Sequence, residues 1–340
     1  DEVERAVQAL EAVPPAPGKQ SGVGFALLIQ AMGLGHGLPD HTTTRIKWLP
    51  EGGVSLDIGT PDMGQGTQTI GAQIAAEALA IEYDQVQVAA LDTAVSPDGG
   101  VTCASRMTYV VGNSILKSAA AAVDALLDQA ADLLGLAREK IRYQAGFLHL
   151  AGEQRSIPAA EIAAQAAAHQ KEILGEETYS FPYPPEITPQ DLPIGMPHIR
   201  FGYGAHVARV EVDPQFGTVE VQEIHAIHDV GKALNPAGVE GQIEGGVVMG
   251  VGYSLLEEVK LKGSGNWTDN LTEYLLPTAA DAPKIKSIIL EYPEPTGPFG
   301  ARGMAEMSMS PVAPAIVNAL RNATGKSLTR IPVRPEDLLE

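Results

Sequence analysis

At 340 residues the chain suits one large domain or two packed subdomains, and it is long enough to bury a sizeable core. Hydrophobic residues at 44% and charged residues at 19% are ordinary globular proportions, while 36 glycines and 25 prolines promise many loops and close backbone approaches. A formal charge of −19 repels phosphodiester backbones and anionic lipid, which disfavours nucleic-acid and membrane-surface roles. The one cysteine, Cys103, leaves no intrachain disulfide, no Cys-rich zinc site and no iron–sulfur cluster held by this chain alone, so any redox centre is borrowed. No apolar run reaches the roughly 18 residues that span a bilayer, and the N-terminus lacks a basic-then-apolar export signal, so a cytoplasmic protein is expected. The chain begins at Asp1 without Met, as processing, trimming or membership of a longer chain would produce.

Residues 1–19 read as a short charged helix ending in a Pro-rich linker. His41 to Trp48 and Val54 to Gly59 alternate like two strands about Glu51-Gly52-Gly53, and Gly66 to Ile81 carries Ile70, Ile74 and Ala78 at helical spacing. Val86 to Leu91 reads as a strand. Thr108 to Leu134 reads as a long Ala-rich helix with Val111, Ile115, Ala119 and Leu126 on one face. Ile141 to Leu150 looks extended and Ala159 to Ile173 helical. Phe181 to Pro197 holds six prolines and cannot be regular for long. The domain reading is therefore a first subdomain at 20–180, a Pro-rich linker at 181–198 and a second subdomain at 199–340. In the second, His206 to Val212 and Thr218 to Ile227 flank Asp213-Pro214-Gln215-Phe216-Gly217, which is hairpin chemistry. Val239 to Leu256 is a helix studded with glycines at 241, 245, 246, 250 and 252. Each costs up to about 1 kcal/mol against Ala, so close approach to sheet or ligand is expected in return.

Three places suggest chemistry. Asp62-Met63-Gly64-Gln65-Gly66-Thr67 opens a helix, where free backbone N–H groups and the helix dipole favour an anion such as phosphate; a plain capped glycine turn is the alternative. The loop matches neither a Walker sequence nor the dinucleotide fingerprint. Gly99 to Thr108 precedes the long helix. There Arg106 either clamps a phosphate or joins a surface ion pair, with Ser105 or Thr108 capping the helix. Cys103 reads more as an inert buried thiol than a reactive one. The histidines show no paired metal spacing, so no metal held by side chains is expected, and His225 and His228 read as sheet residues. Finally, Gly300-Ala301-Arg302-Gly303-Met304-Ala305-Glu306, ahead of an apolar helix, sets one carboxylate at a crowded bend. There it is either a solvated loop acid or a partly desolvated general base.

Five motifs in order together resemble the xanthine dehydrogenase and aldehyde oxidoreductase family, the molybdenum hydroxylases, over roughly residues 20 to 325. They are Asp62 to Thr67, Ala104-Ser105-Arg106 with Gly112-Asn113, Asp229 to Pro236, Gly241-Gln242-Ile243-Glu244-Gly245-Gly246, and Gly300 to Glu306 with Ala313-Pro314-Ala315. The resemblance implies an α+β molybdenum-cofactor-binding domain with two α/β subdomains of mixed sheets and packed helices. It implies a molybdopterin, in cytosine dinucleotide form, with molybdenum held by the pterin rather than by side chains. Gly64, Gln65, Gly66 and Thr67 then bind the pterin or its pyrophosphate, and Ser105 and Arg106 continue the cradle. Ala104 lies beside the metal, with Cys103, Gln242 and Met249 adjoining the cofactor. Glu306 matches the family's catalytic base.

The chain departs from the family pattern at Met249, where many relatives have Gln, and at Cys103, where they usually carry a small residue. The family's N-terminal molybdenum half and its iron–sulfur and flavin domains are absent from the sequence. The resemblance therefore implies one subunit or fragment of a complex whose partners are the other molybdenum-subunit half, a 2Fe-2S subunit and an FAD subunit. That complex hydroxylates an electron-poor carbon, as in a nicotinate-type N-heteroaromatic or a purine, with water-derived oxygen. An aldehyde oxidoreductase subunit and a non-catalytic scaffold or assembly subunit stand as alternatives.

Overall fold

The computed structural model describes residues 1–184, 197–260, 268 and 270–339. Along the chain come α1 (Glu2–Glu11), β1 (Gln20–Ala31), β2 (His41–Trp48), β3 (Val54–Asp57), α2 (Thr67–Leu79), β4 (Val86–Val88) and α3 (Met107–Leu134). There follow β5 (Ile141–Gln144), β6 (Phe147–Leu150), β7 (Ser156–Pro158), α4 (Ala159–Ala168), β8 (Leu174–Ser180), β9 (Phe201–Val212) and β10 (Val219–Asp229). Next are α5 (Pro236–Leu255), β11 (Lys284–Leu290), α6 (Val312–Thr324) and α7 (Pro335–Leu339). The class is mixed α+β, as expected.

The chain folds into two compact units, each assembled from separate stretches. Residues 1–31, 201–292 and 304–340 form one unit, and 32–200 with 293–303 form the other. This corrects the sequential division into 20–180 and 199–340. The N-terminal segment and β1 leave the first half because β1 pairs along its whole length with β9, from Gln20 opposite Val212 to Ala31 opposite Phe201. Most of the Pro-rich linker read at 181–198 lies outside the described residues.

In the first unit the sheet order is β1-β9-β10-β11. β9 and β10 form the expected hairpin, whose turn is held by the Asp213 carboxylate accepting the amides of Gln215 and Phe216. Gly217 (φ +68°) supplies the left-handed residue that closes it. One sheet face carries Ala208, Val210 and Ile224 against Ile243 and Val247 of α5 and Val312, Ile316 and Leu320 of α6, all buried. On the opposite face Ala6 and Leu10 of α1 cover Ala205, Val207 and Ile227. Gly22 and Gly24 let β1 run against the α6 backbone, since a Cβ at either would fall 2.2 or 2.1 Å from Ala319 main-chain atoms.

The second unit has a four-stranded sheet, β4-β3-β2-β8, and a small one, β5-β6-β7. Helix α3 buries Val111, Ile115, Ala119 and Leu126, the face its period foretold. It is bonded to β2 by Ser114 and Ser118, which both meet the Thr44 hydroxyl, and by Trp48 Nε1 donating to the Ala122 carbonyl at 3.0 Å. By length and composition α3 is long and apolar enough to cross a membrane, correcting the reading that no run is; half of that window is buried inside the fold.

Candidate functional site

In the second unit, the loop from β3 into α2 holds Gly64 at φ +101° and Gly66 at φ +82°, conformations a side chain would strain. A Cβ added at either meets nothing within 4 Å, so the main chain is bare on that side. Three amides of this helix entrance, expected to be open to an anion, are taken by the loop's own acid. Asp62 accepts the N–H of Gly64 at 2.9 Å and those of Gly66 and Gln68 at 3.2 Å. Partial burial alone would raise the Asp62 pKa, but the three amides outweigh it and hold the carboxyl below its ordinary value. Gln65 folds back, accepting the Met63 amide at 2.6 Å and donating to the buried Thr67 hydroxyl at 2.8 Å.

The loop entering α3 is bent by two non-glycine residues in the left-handed region, Ala104 (φ 54°) and Ser105 (φ 48°). Such strain persists only where the surroundings enforce it. The Ala104 carbonyl accepts the Gly33 amide at 3.0 Å, and Gly303 lies so close that its Cβ would fall 1.6 Å from the Ser105 carbonyl oxygen. That contact explains the second glycine of the Gly300 to Glu306 motif. Cys103 is exposed, contrary to the buried thiol expected.

Arg106 is neither a phosphate clamp nor a surface ion-pair residue. Its side chain is 0% exposed, with Nε on Asp40 Oδ1 at 2.6 Å, Nη1 on the Val101 carbonyl at 2.6 Å and Nη2 on the His41 carbonyl at 2.7 Å. Asp40 is equally enclosed and also accepts the Leu34 amide at 2.7 Å. The guanidinium is spent on fastening the loop to the start of β2.

In the first unit, Glu306 sits on a single 3₁₀ turn, Ala305–Ser308, just before α6. Its neighbours lock that turn. Met307 is buried against β9, where a Cβ at Gly202 would lie 2.0 Å from its sulfur, and Ser308 Oγ would meet a Cβ at Gly246 of α5 at the same 2.0 Å. The Glu306 carboxylate itself is exposed in this chain, so the desolvation expected of a crowded bend is not supplied by the described residues. It accepts a hydrogen bond from Gln30 Nε2 at 3.0 Å, while Ser310 Oγ donates to the Glu306 carbonyl at 3.2 Å. On α5, Gln242 is half-buried and Met249 exposed, and a Cβ at Gly241 or Gly245 would meet nothing within 4 Å.

His228 is a sheet residue, as read, but it is paired. Its Nε2 lies 2.8 Å from Nε2 of His206, one ring donating and the other accepting, both fully buried. Burial holds the His228 pKa down to about 4, and burial together with the neighbouring ring holds His206 well below 6.5. His225 instead meets Glu223 at 2.9 Å. Sequence reasoning missed Gln30, Asp40 and the His206 pairing, which are far in sequence from their partners. It could have found Asp62, because an acid two residues before a glycine at a helix entrance is a recognisable cap.

The model of the molybdopterin cofactor-binding domain matches residues 2–283, a span that stops short of Glu306. A probable xanthine dehydrogenase subunit of Bacillus subtilis is 30% identical over 94% of this chain and 42% of its own length. The nicotine 6-hydroxylase large subunit of Paenarthrobacter nicotinovorans is 28% identical over 95% of this chain and 40% of its own. Among solved structures, quinoline 2-oxidoreductase from Pseudomonas putida 86 superposes with a TM-score of 0.79 at 28% identity, covering 99% of this chain and 43% of that one. The chain thus spans about two-fifths of the length of the relatives it matches. It belongs to the molybdopterin cofactor-binding domain family, whose relatives here are molybdenum hydroxylases of the xanthine dehydrogenase kind.

Proposed function

We propose that this chain is the molybdopterin-binding part of a cytoplasmic multi-subunit molybdenum hydroxylase that adds a water-derived oxygen to an electron-poor carbon of an N-heteroaromatic substrate, with Glu306 as general base. The observation that carries the proposal is the seat of Glu306. A single carboxylate projects from a turn immobilised by Met307 and Ser308 and is held by an amide donor at 3.0 Å. Proton transfer demands a fixed acceptor within hydrogen-bond reach, and a rigid turn with a protruding acid provides one.

The cofactor, when bound, supplies the two-electron oxidation and the activation of water. The bare backbone at Gly64 and Gly66 fits the close approach of a flat pterin with hydrogen-bonding edges. Gln65, Thr67, Ala104 and Ser105 are the other residues of that unit assigned to holding it, with Cys103 exposed beside them. Gln242 and Met249 are assigned from α5. Arg106 is withdrawn from any phosphate cradle because its side chain is fully enclosed and bonded to Asp40 and two main-chain carbonyls, and the Asp62 carboxylate on the α2 amides opposes a phosphate at that entrance. The cytosine dinucleotide form therefore requires a phosphate site elsewhere, including on a companion chain.

Relatives named for nicotine and quinoline support a nitrogen heteroaromatic ring as the substrate class. The length of those relatives supports a companion supplying the other molybdenum half, and the redox chemistry calls for iron–sulfur and FAD partners to carry electrons away. The test is Glu306→Gln in the assembled complex, assayed on N-heterocycles and on aldehydes. Turnover falls by about 10²–10⁴-fold, the usual worth of a general base, at unchanged molybdenum content. Full activity in that variant removes Glu306 from the role.

A further inference from the structure

We propose that Gln30 positions the Glu306 carboxylate for proton transfer, an inference that rests on Glu306 being the base. Gln30 stands near the end of β1, half-buried, on the sheet face that carries Gly24, Ala26 and Leu28. Its Nε2 donates to Glu306 Oε2 at 3.0 Å, and its Oε1 lies 3.5 Å from Ser310 Oγ, whose single hydrogen is directed either there or to the Glu306 carbonyl at 3.2 Å.

These contacts dictate which end of the amide points where. An ionised carboxylate only accepts, so the NH₂ must face it, and the amide oxygen is then turned toward the serine hydroxyl. The side chain becomes a fixed dipole with its positive end on the acid. A neutral amide orients the carboxylate and leaves its charge in place, whereas Lys or Arg would make a charge-neutralising ion pair.

Strand and turn belong to one packed body, which makes the placement precise. Gln30 pairs with Gly202 of β9, and Gly202 lies directly on Met307, the residue after Glu306. The glycine lets Met307 pack onto the strand, since a Cβ there would fall 2.0 Å from the methionine sulfur and push that side chain aside. The donor and the acid therefore approach from strands and turn held by the same contact, although they are 276 residues apart in sequence.

The experiment compares Gln30→Met, Gln30→Glu and Glu306→Gln in the enzyme assembled with its companion chains, reading kcat, KM, molybdenum content, melting temperature and the crystal structure of Gln30→Met. Methionine keeps the shape and removes the donor, and kcat falls about tenfold, in keeping with the loss of one hydrogen bond to a charged group. KM is unchanged, because Gln30 acts on the acid and not on the substrate. Glutamate keeps the shape but faces Glu306 with a like charge, so kcat falls further than in Gln30→Met. Metal content and melting temperature match the unsubstituted enzyme, and the Gln30→Met structure shows the Glu306 carboxylate displaced or in more than one rotamer. Equal losses in the two variants that follow melting temperature or metal content make Gln30 a packing residue and overturn the proposal. Full kcat in both, beside an inactive Glu306→Gln, overturns it and leaves the base standing. An active Glu306→Gln overturns the base, and with it the role of Gln30.

Discussion

Charge buried without water has to be answered by the protein, and Arg106 with Asp40 is the clearest instance in this chain. With side chains 0% and 1% exposed, removing either partner strands the other, so Arg106→Leu or Asp40→Leu lowers unfolding free energy by about 3–5 kcal/mol in urea titration. A variant close to the parent in stability contradicts the structural role given to the pair. The buried histidines bear on pH. The native state keeps His206 and His228 neutral, while unfolded imidazoles take up protons below 6.5. Stability is thus full above pH 6.5 and declines as pH falls, and the His228 contribution levels off only once its native ring protonates near 4. Urea midpoints should drop steadily between pH 6.5 and 4.5; a flat profile there refutes the neutral pair. The turn that carries Glu306 was legible in the sequence because its motif is local, whereas the exposure of its carboxylate was not. Arg106 was noticed but given the wrong task, since Asp40 lies 66 residues away and nothing in the loop announces it.

At the scale of elements, α5 shows that its glycines serve two different ends. A Cβ at Gly246 would fall 2.0 Å from Ser308 Oγ and one at Gly250 would fall 2.4 Å from Val312, so Gly246→Ala and Gly250→Ala push α5 off the Glu306 turn and off α6. Both variants lose stability, by about 1–3 kcal/mol as overpacked cores do. Gly241 and Gly245 face open space, so Gly241→Ala and Gly245→Ala gain up to about 1 kcal/mol of helix propensity in the isolated chain. Thermal unfolding of the four variants checks the split, and a common sign for all four contradicts it. Helices α2 and α3 were legible because their apolar spacing is local, and α5 because its small and apolar residues run unbroken by proline after Pro236. Strands β1, β8 and β11 were not. β1 places Phe25, Leu27 and Ile29 outward and glycines inward against α6, and β8 carries Gly175, Glu176 and Glu177, so neither alternates in the expected sense.

For the molecule as a whole, the motifs spoke for the family while the partition of the chain stayed hidden. Strand β1 belongs with β9, and 293–303 belongs with 32–200, because sheet pairing rewards contacts that chain order does not reveal. The chain spans about two-fifths of the length of its relatives, and the Glu306 carboxylate proposed as base is exposed among the described residues, whereas catalytic groups ordinarily sit in enclosed pockets. The purified chain alone is therefore expected to fold without turning over N-heterocycles, and activity returns when the companion chains are added; turnover by the isolated chain would dismiss the requirement. The most direct test of the central claim is the molybdenum and pterin content of the complex purified from its native host. One molybdenum and one molybdopterin per copy of this chain is the predicted result, and an active complex containing neither would contradict it.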